Sequence, residues 1–132
     1  MDLIKITPDI ERVRNILEMI GLIEQRIKTQ NKEIMASLII ADYYEIIKEL
    51  ITAVLLTDGF KTLSHKELIE YIKTNYREFS ESEISLLDTL RVLRNRISYE
   101  GFKINISYLK RNEPEFKSII QKLKILIKEK IS

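Results

Sequence analysis

The chain of 132 residues contains no cysteine and no tryptophan, and only three glycines and two prolines. Without cysteine it can form neither disulfide bonds nor thiolate metal sites. The scarcity of turn-forming residues excludes a many-stranded sandwich and favours a few long elements. No apolar run approaches the roughly 20 residues that a membrane-spanning helix needs. The start of the chain carries two acids, unlike a signal peptide, so we expect a cytoplasmic protein without membrane contact.

What is present is typical of a globular domain. Hydrophobic residues make up 45% of the chain and charged residues 32%, a balance that differs from that of disordered proteins. The length suffices for one core, whereas two would each be small. We therefore expect one domain that covers residues 1–132.

Apolar residues recur at three- and four-residue steps in five segments, which predicts five amphipathic helices. The first covers residues 8 to about 30 and opens at Thr7 and Pro8, a cap followed by a proline of the first turn. The second, about 32 to 57, is apolar on most sides and ends at Gly59. Such a helix must be covered on most sides, so we expect it to be central or to face a second subunit.

Capping boxes at residues 64–67 and 80–83 predict the starts of the third and fourth helices. The fourth helix should end near Tyr99, because a glycine follows two positions later. We expect residues 102–111 to be irregular, with a short extended piece, and the last helix to start at Asn112-Glu113-Pro114-Glu115. The predicted fold class is all-α, a five-helix up-and-down bundle.

Positive charge is concentrated in residues 91–111, which hold six cations and one acid, whereas the whole chain has a formal net charge of only +2. Arg91 and Arg94 share one face of the predicted fourth helix, and Asn95 and Tyr99 share the adjacent face. Arginine side chains suit phosphate oxygens, and a tyrosine ring offers a stacking surface. This segment is therefore the candidate for an anion-binding site.

Some of these residues also have a structural interpretation. Arg91 and Arg96 lie near the end of a helix, where cations cover the last carbonyl groups. His65, the only histidine, occupies the first position inside a capping box, and a structural role accounts for it. A single histidine, no cysteine and no carboxylates spaced as ligands predict no metal site, and we expect no cofactor.

The sequence Arg94-Asn95-Arg96-Ile97-Ser98-Tyr99, followed by Glu100-Gly101, resembles the signature of the HEPN superfamily (higher eukaryotes and prokaryotes nucleotide-binding). That signature is an arginine, a polar residue, three variable residues and a histidine, near the end of the fourth helix. Upstream, the order of Ala41-Asp42-Tyr43-Tyr44, Ala53-Val54-Leu55-Leu56, Gly59 and Leu63-Ser64-His65 is similar to that of prokaryotic members. The resemblance covers most of the chain from the second helix onward.

The resemblance implies a helical bundle that forms a two-fold homodimer through the motif-bearing helices. In active members, arginines and histidines of both subunits meet in a cleft and cleave RNA without a metal. Prokaryotic members are often encoded beside a minimal nucleotidyltransferase and act with it as a toxin–antitoxin pair. For this chain the resemblance implies an RNA- or nucleotide-binding site formed by Arg91, Arg94, Asn95, Arg96 and Tyr99.

Tyr99 occupies the position at which the family has its histidine. Histidine exchanges protons near neutral pH because its ordinary pKa is about 6.5, whereas that of tyrosine is about 10. A phenol can donate to a phosphate oxygen but is a poor general base at pH 7. We therefore expect a binding module. Two alternatives are a metal-independent endoribonuclease that uses Arg94 and Tyr99, and a structural interaction protein whose apolar second helix recruits a partner.

Overall fold

The computed structural model describes residues 3–132, and five α-helices make up most of this part of the chain. Their bounds are Ile10–Thr29 (α1), Lys32–Asp58 (α2), His65–Asn75 (α3), Glu81–Glu100 (α4) and Ile106–Ile131 (α5). Two strands, β1 at Ile4–Lys5 and β2 at Phe60–Lys61, pair antiparallel. The prediction of a mostly helical five-helix bundle is confirmed. The structure adds a short ribbon that the sequence does not predict, because two-residue strands carry no periodicity.

α2 is the central helix, as predicted, and it packs against each of the other four helices. Most of the largest fully buried side chains belong to it: Ile39, Ile40, Ile46, Ile47, Leu50, Ile51, Leu55 and Leu56. Its narrow polar side meets α1, where Arg26 Nη2 lies 2.7 Å from Asp42 Oδ1. The apolar surface of α2 is therefore covered mainly by helices of the same chain.

Gly59 ends α2 and allows the N-terminal segment to return against that end. Its φ of 85° lies in the left-handed region, which side chains rarely adopt. A Cβ at this position would lie 3.1 Å from the carbonyl oxygen of Ile6, whose N–H donates a 2.8 Å hydrogen bond to the Gly59 carbonyl. Both the conformation and the close approach require glycine, and the predicted helix stop is confirmed.

The predicted start of the first helix is wrong by two residues. α1 begins at Ile10, and Asp9 is its cap, with a side-chain oxygen that accepts from Arg12 N at 3.1 Å. Thr7 and Pro8 precede the helix. A carboxylate is favoured over a threonine hydroxyl at this position because it also interacts with the positive end of the helix dipole.

The predicted start of the last helix is also wrong. α5 begins six residues earlier, at Ile106, because Asn105 caps it by accepting from Ser107 N at 2.8 Å. The expected extended piece is therefore largely helical, and Pro114 lies inside the helix, where it cannot donate to the preceding turn. Burial of Leu109 in the same stripe as Phe116 outweighs that loss.

The first half of α4 is anchored in the core and the second half lies at the surface. A complete capping box at Ser80 and Glu83 starts the helix, as predicted, and Leu87 and Leu90 are buried. Beyond Leu90 no side chain of α4 is fully buried, and Val92 is 43% exposed. The half that carries the arginines is thereby available for contact with a ligand or another chain.

Candidate functional site

Two aromatic side chains, on α2 and α3, lie within electrostatic reach of two arginines in the second half of α4. The rings of Tyr44 on α2 and His65 at the start of α3 lie 5.9 Å apart between centroids. The charges of Arg91 and Arg94 act on the pKa of both residues. We call Tyr44, His65, Arg91 and Arg94 the arginine cluster.

The two titratable rings of the cluster are neutral at neutral pH, chiefly because they are buried. Burial lowers the pKa of His65 below its usual 6.5, and the charges of Lys48 and Arg94 lower it further. Burial raises the pKa of Tyr44 to about 12, although Arg91 and Arg94 act in the opposite direction. His65 is thus an imidazole that can accept a proton, and Tyr44 is a phenol that can donate a hydrogen bond.

The two arginines of the cluster differ in whether a carboxylate pairs with them. Arg91 is held by Asp88, whose Oδ1 accepts from its Nε at 3.1 Å and from its Nη2 at 3.0 Å. Arg94 is half-buried, and no carboxylate of residues 3–132 lies within 4.0 Å of it. Its one side-chain hydrogen bond among these residues is a long 3.5 Å contact from Nη1 to Asn95 Oδ1. A partly desolvated guanidinium without a strong acceptor favours the binding of an anion.

Arg96 and Tyr99 lie outside the arginine cluster. The guanidinium of Arg96 stacks over the ring of Phe102 at 3.8 Å, and its Nε lies 3.9 Å from Glu100 Oε2. Arg96 thus contacts an aromatic ring and a carboxylate close to it in the sequence. Tyr99 is 79% exposed, and five helical positions place it about 140° around the axis from Arg94. One copy of the chain therefore does not bring Arg94 and Tyr99 to a common site.

The space around the cluster is shallow. The hollow between Tyr44 and His65 holds about 10 Å³, room for roughly one water molecule. A groove of about 690 Å³ runs between α3 and α4, but its lining balances three cations with three acids: Lys66, Lys73, Arg77, Glu70, Glu81 and Asp88. A ligand of the cluster would lie on its surface.

Comparison of the chain with protein-family models, with curated proteins and with solved structures finds no match. Within residues 3–132, no three histidine, aspartate or glutamate side chains are grouped so as to hold a metal ion. Nor does that part of the chain include a helix with the length and apolarity to cross a bilayer.

Sequence reasoning did not place Tyr44 and His65 in the site. Tyr44 is only 3% exposed, and His65 begins a helix, as the capping box predicts. What the sequence lacks is a signal for the packing of the start of α3 beside the middle of α4, where His65 and Leu87 line the same hollow. That proximity is a tertiary contact, and no local spacing encodes it.

Proposed function

We propose that this protein is an RNA- or nucleotide-binding module that acts in the cytoplasm as a two-fold homodimer and as the partner of a minimal nucleotidyltransferase. The observation that carries the binding function is the half-buried guanidinium of Arg94, which has no carboxylate partner among the described residues and lies beside a second arginine. A phosphate group offers the two oxygens that a guanidinium fork prefers. The dimer and the partner protein follow from the HEPN resemblance.

The exposed surface of α4 supports a contact between two copies. Val92 and Tyr99 share one face of the helix and are 43% and 79% exposed. A helix-to-helix contact along this face would remove both side chains from water, which is favourable for apolar area.

The binding function is tested with labelled single-stranded RNA and with ATP, at low salt and again at about 0.2 M salt. We expect Arg94→Ala to weaken binding by roughly tenfold, since a charge-assisted hydrogen bond contributes about 1.5–3 kcal/mol. Arg14→Ala is the matched control, because Arg14 is exposed on α1 and has no ion pair within residues 3–132. Equal affinities of wild type, Arg94→Ala and Arg14→Ala contradict the proposal.

The dimer is tested by analytical ultracentrifugation. We expect wild type to be dimeric and Val92→Glu to be monomeric, because a charge buried in a helix contact is unfavourable. Met19→Glu is the control, since Met19 is 56% exposed on α1, away from the proposed contact. A monomeric wild type, or a Val92→Glu variant that remains dimeric, contradicts a dimer through α4.

One observation favours the endoribonuclease as a second candidate. The lowered pKa of His65 beside Arg94 leaves a neutral imidazole, which is the form that a general base needs. Incubation of purified protein with mixed RNA in EDTA decides whether it cleaves. Cleavage lost in Tyr99→Phe assigns the proton transfer to Tyr99, and cleavage lost in His65→Gln assigns it to His65. The absence of cleavage by wild type rejects the enzyme and leaves the binding module.

A further inference from the structure

A second cavity lies between α1, the beginning of α2 and α5, and it has a volume of about 370 Å³. Small-molecule sites commonly enclose about 300–1,000 Å³. Tyr43 lines this cavity, whereas the neighbouring Tyr44 faces His65. Adjacent helical residues point about 100° apart, and α4 contributes nothing to the lining. The cavity is therefore separate from the arginine cluster.

Four lysines and two glutamates line the cavity. Lys32 Nζ donates to Glu113 Oε1 at 2.7 Å, and Lys124 Nζ donates to Glu24 Oε1 at 2.7 Å. Each glutamate is thus matched by one lysine. Two further lysines remain in excess.

The innermost carboxylate is fixed in its charged form. Glu113 is 8% exposed, and the phenol of Tyr43 donates to its Oε2 at 2.6 Å. Burial acts to raise the pKa of Glu113, but the hydrogen bonds from Lys32 and Tyr43 outweigh it and leave the pKa below its usual value. Glu113 is therefore charged at pH 7 and forms its ion pair with Lys32, while Lys117 acts on it through its charge alone.

The excess charge comes from Lys28 and Lys117. Both are exposed, and neither has a carboxylate of residues 3–132 within 4.0 Å. They line the same cavity as the apolar side chains of Ile27 and Ile120. The lining thus has two more lysines than glutamates, and the two lysines without an ion pair lie beside an apolar wall.

We propose that this cavity binds a small organic phosphate whose phosphate group contacts Lys28 and Lys117 and whose apolar body packs on Ile27 and Ile120. A phosphate monoester carries about 1.5 to 2 negative charges at pH 7, which matches two ammonium groups, whereas a carboxylate carries one. The larger groove between α3 and α4 has a balanced lining and gives no such preference for an anion.

The proposal is tested by calorimetric titration of the full chain with phenyl phosphate, benzoate and inorganic phosphate. We expect phenyl phosphate to bind at least about tenfold more tightly than either of the others, because only it supplies both the double charge and the apolar body. Substitution of both lysines, Lys28→Ala with Lys117→Ala, should weaken its binding by roughly tenfold or more. Both side chains are exposed, so this variant should retain the helical circular dichroism of wild type.

A control variant separates this site from a general attraction of anions to the protein. Lys103→Ala with Lys110→Ala removes the same charge from exposed positions outside the cavity, and we expect wild-type affinity for phenyl phosphate. Inorganic phosphate or benzoate bound as tightly as phenyl phosphate, an equal loss in the control lysine pair, or no binding of any probe overturns the proposal.

Discussion

Tyr43 on α2 and Glu113 on α5, which are 70 positions apart in the sequence, are joined by a 2.6 Å hydrogen bond from the phenol to Oε2 of the carboxylate. Lys32 holds the other carboxylate oxygen at 2.7 Å. The ring of Tyr43 also packs against Phe116, with centroids 5.3 Å apart. A buried charge with two donors thus links the central helix to the last helix, at the back of the lysine-lined cavity.

The first prediction concerns the removal of this carboxylate. Glu113→Ala leaves the buried phenol and the ammonium of Lys32 without their acceptor, so we expect a loss of about 2–4 kcal/mol in the free energy of unfolding. Glu113→Gln keeps an acceptor for Tyr43 but loses the charge, and it should cost less. Urea unfolding measures both values. The neighbouring Glu115 is exposed, and Glu115→Gln is expected to be neutral; a Glu113→Ala variant as stable as this control contradicts the prediction.

The second prediction concerns stability at acidic pH. Asp58 accepts from Lys130, Tyr71 and Tyr76, and although burial acts to raise its pKa, these bonds leave it below the usual 3.8. Because the pKa is lower in the folded state, this stabilisation is complete above the unfolded-state pKa and is lost as pH falls through the folded-state pKa. Glu83 and Glu113 have lowered pKa values as well. We therefore expect the melting temperature of wild type to fall below about pH 4.

Replacement of Asp58 isolates its share of that pH dependence. We expect Asp58→Asn to have a lower melting temperature than wild type at pH 7 and a smaller further fall between about pH 5 and pH 2. Asp9→Asn is the control, because asparagine also caps a helix and Asp9 is an exposed cap. If Asp58→Asn loses as much stability on acidification as the control does, Asp58 does not contribute in this way.

The features that the sequence predicted correctly depend on local chemistry. α2 could be identified as central because its side chains are apolar around most of the helix, and Gly59 could be identified as its end because glycine favours a positive φ. The start of α5 was predicted wrongly at Asn112-Glu113-Pro114-Glu115, although that prediction also came from a local signal. A proline is a local signal for a first turn, yet the burial of Leu109 extends the helix before it. At the start of α5, tertiary packing outweighs the local preference of the proline.

In the candidate site, too, local signals predict some residues and tertiary packing determines the others. Arg91 and Arg94 were identified from charge and from the motif, which are properties of neighbouring residues. The position of His65 beside them depends on how α3 packs near α4, and the pairs of the lysine-lined cavity join residues up to 100 positions apart. Spacing in the sequence carries no information about such contacts.

The third prediction compares the two helix starts that share a capping-box pattern. At Ser80 both hydrogen bonds of the box are formed, since its Oγ accepts from Glu83 N at 3.1 Å and Glu83 Oε1 accepts from Ser80 N at 2.9 Å. At Ser64 only the first of these is present: its Oγ accepts from Glu67 N at 3.3 Å, and Glu67 Oε2 is buried without a partner among the described residues. Because a cap contributes about 0.5–2 kcal/mol, we expect Ser80→Ala to cost about 1 kcal/mol and Ser64→Ala less.

Chemical unfolding of the two serine variants and of Ser118→Ala, an exposed serine inside α5, checks this order. Alanine at an exposed helix interior is slightly favourable, so the control should be as stable as wild type or more so. Ser80→Ala keeps the backbone N–H that donates to Glu83, so the two variants compare the hydroxyl caps alone. Equal losses for Ser80→Ala and Ser64→Ala contradict the expected order.

The fourth prediction tests the electrostatics of the arginine cluster directly. The chain has one histidine, so a titration followed by the imidazole signals in NMR reports His65 alone. Burial, Lys48 and Arg94 lower its pKa, in that order; removal of a positive charge favours the protonated ring, and Arg94→Ala should therefore raise the pKa towards 6.5. Arg14→Ala should leave the pKa of His65 at the wild-type value.

A bound phosphate near Arg94 adds negative charge and should also raise the pKa of His65. A His65 signal that titrates identically in wild type and Arg94→Ala means that the two side chains are not neighbours, and the arginine cluster as described does not exist.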